Sequence, residues 1–134
     1  METDIELKNG TTWEDFLKEG NRYLEIVKGG SNSAKFTPEI LYNLACMSIE
    51  KLFMAYFLKN RTMPGNHTLI DLVEAMNEIG KVPEQLEKEL LYMNGFQEIC
   101  SIEQYSRKIP EQTDITRFIG TLDLTRSYIQ ELIG

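Results

Sequence analysis

The sequence predicts an all-α protein of five helices, four of them long. Three observations carry this. Apolar residues recur at helical spacing along most of the chain. Threonines, prolines and glycines stand where those periodic stretches begin and end. No stretch alternates apolar and polar residues as a half-buried strand would.

Each element follows in order. Thr12 can cap a first helix through about Lys28, with Asp15 completing a weaker form of the capping box. Trp13, Phe16, Leu17, Tyr23, Leu24 and Val27 give its apolar stripe. The stretch Gly29-Gly-Ser-Asn-Ser33 breaks the pattern. It is read as a loop, because a phosphate loop needs a Gly-Lys-Ser/Thr ending and a preceding strand. Thr37 and Pro38 open the second helix, expected to run to about Asn60. The third begins near His67 or Thr68 and stops at Gly80. Pro83 opens the fourth, expected to reach about Ser106, with Gly95 a weak point. Pro110 ends that segment, and the fifth helix spans about Thr113 to Leu132.

Composition bounds the function. The chain has 134 residues, which suits one domain with an ordinary core. Its net charge of −7 opposes a general nucleic-acid coat protein, which needs clustered lysine and arginine. Cys46 and Cys100 both lie in apolar helical segments and read as reduced, buried thiols. No apolar run reaches the ~18 residues of a membrane span. The acidic start METDIELKNG lacks a signal peptide's basic and apolar regions, so a cytoplasmic protein is the default expectation. With a single histidine and no metal-ligand cluster, neither a cofactor nor a metal is expected.

Helix 2 is the most informative element. Leu41, Tyr42, Ala45, Ile49, Leu52, Phe53 and Tyr56 share one face, the expected core. The other face mixes Glu39, Asn43, Glu50 and Lys51 with Cys46, Met47, Met54, Phe57 and Leu58. A helix apolar nearly all round must be covered on several sides. Its own neighbours can do this, or a second subunit can. The second option makes the chain a two-fold homodimer through Met47, Met54 and Leu58.

The run from Tyr42 to Lys59, YNLACMSIEKLFMAYFLK, resembles the second helix of HEPN domains: small residues, then Glu-Lys, then apolar residues and a lysine. The following Pro64-Gly-Asn-His-Thr-Leu69 and Asp71-Leu72 resemble that family's short proline-containing loop and its His-x-Leu-like entry to helix 3. The likeness spans roughly Thr37 to the C-terminus. It implies an up-and-down four-helix bundle with an additional short helix, often dimeric.

The resemblance bears on RTMPGNH, residues 61–67, where the only histidine follows an arginine by six positions. In the family's ribonucleases the Arg–His pair belongs near the start of the late long helix. The corresponding stretch, Gln104 to Arg117, offers Arg107 and Arg117 but no histidine. His67 instead occupies the entry to helix 3. The resemblance therefore implies a non-catalytic binding or interaction module. One form of this is the partner subunit of a small nucleotidyltransferase on a separate chain, since this chain lacks a Gly-Ser motif followed by paired aspartates. The alternative is a ribonuclease or toxin–antitoxin component with a degenerate or shared site.

The candidate ligand-binding residues are Glu50, Lys51, Arg107 and Arg126. On helix 5, Ile115, Phe118, Ile119, Leu122, Ile129 and Ile133 form an apolar stripe that Arg126 interrupts. A guanidinium drawn into a core needs an acceptor. Glu50, standing between Ile49 and Leu52, is the first expected partner and the chain-terminal region the second. Otherwise Arg126 lies at the stripe's edge and reaches water.

Overall fold

The computed structural model describes residues 12–97 and 109–134. Five helices follow one another: α1 (Trp13–Gly30), α2 (Pro38–Lys59), α3 (Leu69–Ile79), α4 (Glu84–Gln97) and α5 (Gln112–Ile133). No strand occurs among the described residues. The expected continuation of helix 4 to Ser106 lies outside the described residues, as do Cys100 and Arg107.

The starts obey the expected chemistry. Thr12 and Asp15 form a capping box on α1, with the Thr12 N–H donating to the Asp15 carboxylate at 3.0 Å. Thr37 caps α2, with Pro38 in its first turn, and Thr68 caps α3 by accepting from the Asp71 N–H. Helix α1 runs two residues beyond Lys28. The glycine pair is helical, and Gly30 is packed so closely that an added Cβ would stand 2.6 Å from the Phe36 ring.

The end of α2 is less ordinary. The Arg61 N–H donates to the Leu58 carbonyl, and the Thr62 N–H to the Phe57 carbonyl. This is the Schellman closure, whose left-handed position usually takes glycine. Here Arg61 holds it, at φ 58°. Comparing Arg61→Gly with Arg61→Ala isolates the backbone, since both variants lose the same side chain. The glycine variant is expected to be the more stable by about 1 kcal/mol in urea unfolding.

Contacts between helices give their relative senses. Gly20 of α1 meets Leu52 of α2 while Gly30 meets Leu41, so these two helices run antiparallel. Glu25 pairs with Arg126 and Lys28 with Asp123, which makes α1 antiparallel to α5. Glu89 pairs with Arg117 and Tyr92 with Asp114, which makes α4 antiparallel to α5. Tyr42 stacks near Phe118 and Phe53 near Tyr128, so α2 and α5 run parallel.

The core is one hydrophobic cluster drawn from all five helices, with Phe53, Phe57 and Phe118 among its largest fully buried side chains. Helix α2 is its axis. Met54, Phe57 and Leu58, assigned above to a second face, are buried within the chain. The homodimer surface expected there therefore loses Met54 and Leu58. Met47 remains exposed, as does Ile40 at the start of the helix. By length and composition α2 is apolar enough to cross a bilayer, contrary to the expectation that no apolar run is long enough, because a few polar residues within the helix do not outweigh its apolar ones. Most of that stretch is buried inside the bundle, which gives its apolarity a structural reason.

Three buried hydroxyls on these helices bond backbone carbonyls. The Ser48 hydroxyl donates to the Gly20 carbonyl at 2.8 Å, tying α2 to α1 at their closest approach. The Thr121 and Thr125 hydroxyls donate to the carbonyls of Arg117 and Thr121, one turn earlier on α5.

Candidate functional site

Glu50 and Lys51 point to different neighbours. The Glu50 carboxylate accepts from His67 Nδ1 at 2.5 Å. This joins the middle of α2 to the loop that precedes α3. Helical rise places Glu50 roughly 14 Å back from the end of α2. Residues 60–67 return over that distance, and buried Pro64 anchors their course. Thr68 then caps α3, and Asn94 of α4 accepts from the Ile70 N–H at 3.1 Å. The histidine thus sits on a loop pinned at both ends. A carboxylate oxygen accepts, so Nδ1 is the donor in this contact and Nε2 is the ring nitrogen that Glu50 does not engage. The pair is open to water, with 45% of the His67 side chain and 34% of the Glu50 side chain exposed. Lys51, one residue on, lies over the Phe16 ring of α1 at 5.1 Å.

Cys46 lies one turn before Glu50. Burial pushes its thiol up to about 12, against a lowering hydrogen bond with Tyr42 and with a small further rise from the Glu50 charge. It is therefore protonated near neutral pH and is a packing group, not a nucleophile.

Arg126 follows the second of its two expectations, the edge of the stripe, and the Glu50 pairing is corrected. It does not meet Glu50. Its guanidinium donates to Glu25 of α1 and to Asp123 of its own helix, both at 3.3 Å. Lys28 reaches Asp123 at 2.9 Å, completing a four-charge link between α1 and α5. The physical reason lies one position earlier. The interior place in the α5 stripe belongs to Thr125, fully buried with its hydroxyl satisfied inside the helix. Arg126 stands at the stripe's edge with 28% of its side chain exposed. Half-exposed pairs of this kind contribute under ~1 kcal/mol. The double change Glu50→Gln with Arg126→Met should therefore be additive within ~0.5 kcal/mol, whereas Glu25→Gln with Arg126→Met should show coupling. Urea unfolding of the six proteins, wild type included, checks both cycles.

A second polar cluster, absent from the sequence expectations, joins α4 to α5. Arg117 donates to both oxygens of Glu89, at 2.7 and 3.3 Å, and stacks 3.6 Å above the Tyr92 ring. Tyr92 donates its hydroxyl to Asp114 at 2.8 Å, and the other Asp114 oxygen accepts from the Glu111 N–H at the start of α5. Glu89 raises the basicity of Arg117, and the Asp114 bond holds the Tyr92 phenol above its ordinary range. The signal was present in the sequence. Glu89 and Tyr92 are three apart, as are Asp114 and Arg117, so two antiparallel helix faces present matching pairs.

Chemically, the Glu50–His67 pair can present an oriented imidazole to solvent. The α4–α5 cluster uses its charges internally, with Arg117 committed to Glu89 and Tyr92. The structure does not bring Glu50, Lys51 and Arg126 into one site. No group of three or more potential metal-ligating side chains occurs among the described residues. Arg107 falls outside them. No protein-family model, curated protein or solved structure matches the chain.

Proposed function

We propose that the chain is a non-catalytic binding or interaction module of HEPN type, serving as the partner subunit of a small nucleotidyltransferase carried on a separate chain. The observation that carries this reading is that its histidine and the late-helix arginine Arg117 stand on different elements with different partners. His67 is held by Glu50 of α2, and Arg117 by Glu89 of α4. An Arg–His ribonuclease pair needs both groups at one place, and here each has a different carboxylate partner on a different element. The helix order adds support. Four longer helices alternate in direction, with the short α3 set between the second and third of them, as the up-and-down HEPN bundle requires.

The test has two parts. Single-stranded RNA incubated with the purified protein and EDTA should stay intact, and sequencing the neighbouring gene should reveal a small nucleotidyltransferase, whose co-expression with this chain should yield a co-purifying complex. Metal-independent cleavage that disappears in His67→Ala would overturn the reading. Light scattering on the free protein reads the accompanying two-fold dimer as twice the 15.5 kDa chain mass.

One observation favours a second reading, a ribonuclease or toxin–antitoxin component with a shared site. Glu50 orients His67 with Nε2 outward, which is how a carboxylate sets up a histidine for proton transfer. The same RNA assay decides between the two.

A further inference from the structure

No further inference is drawn: the strongest candidate, the outward face of α3 where exposed Ile70 and Ile79 flank Glu74 and Glu78, carries nothing because nothing in the structure shows what covers it.

Discussion

Replacing Phe118 with alanine is expected to cost about 3–5 kcal/mol, the range for emptying an aromatic site in a packed core. Phe118 is fully buried at the centre of an aromatic group drawn from three helices. Its ring centroid lies 5.3 Å from Tyr42 of α2, and 5.3 and 6.3 Å from Phe96 and Tyr92 of α4. The tilted and edge-on geometries are those that aromatic pairs favour. Tyr42 cannot swing in to fill the gap freely, because its hydroxyl is bound to the Met93 carbonyl at 2.8 Å. The site therefore collapses poorly, and the cost should fall toward the upper end. Phe118→Leu keeps most of the volume and should cost roughly half as much. A loss below 1 kcal/mol for the alanine variant in urea unfolding would show that this cluster is not the junction of α2, α4 and α5.

The second large effect is a change of sign between two glycines. Gly20→Ala should destabilise the protein by about 2–3 kcal/mol, and Gly120→Ala should stabilise it by about 0.5–1 kcal/mol. Both glycines lie inside helices, where alanine is intrinsically the better residue by ~1 kcal/mol. At Gly120 nothing stands within 4 Å of an added Cβ, so the intrinsic gain is kept. At Gly20 the Cβ would meet Leu52 Cγ at 2.7 Å and, more seriously, the Leu52 backbone nitrogen at 3.1 Å. A side-chain tip can move aside, but a backbone atom moves only with its helix. Parting α1 from α2 also stretches the bond from Ser48 to the Gly20 carbonyl. The overpacking cost exceeds the helix-propensity gain. Thermal melts of the two variants should move in opposite directions from wild type, and a stabilising Gly20→Ala would mean that the helices are not in such close contact.

How much of this was legible in advance depended on whether the cause was local. The caps at Thr12 and Thr37 and the stop at Gly80 were readable because a cap is satisfied within a few residues of chain. The apolar stripes were readable because periodicity is a property of one helix. The choice between Thr125 and Arg126 for the interior of α5 was not. The aliphatic stripe leaves a gap near them, and periodicity alone does not say which one turns inward. Burial of a threonine costs little once its hydroxyl finds the carbonyl one turn back, whereas a guanidinium at the edge can reach Glu25. The Glu50–His67 pair was missed for a different reason. Seventeen residues separate its members, and only the return path of residues 60–67 brings them together.

The apolarity of α2 has a consequence for synthesis. On the ribosome α2 emerges with α1 already made, but α5, which lies along its other side, follows about fifty residues later. At the usual pace of translation, roughly 5–20 residues per second, that interval lasts several seconds. Throughout it, a segment as greasy as a membrane helix stands half-clothed beside the exit tunnel. The nascent chain thus exposes apolar surface that the finished bundle conceals, the kind of surface that leaves an incomplete chain prone to aggregation until α5 arrives.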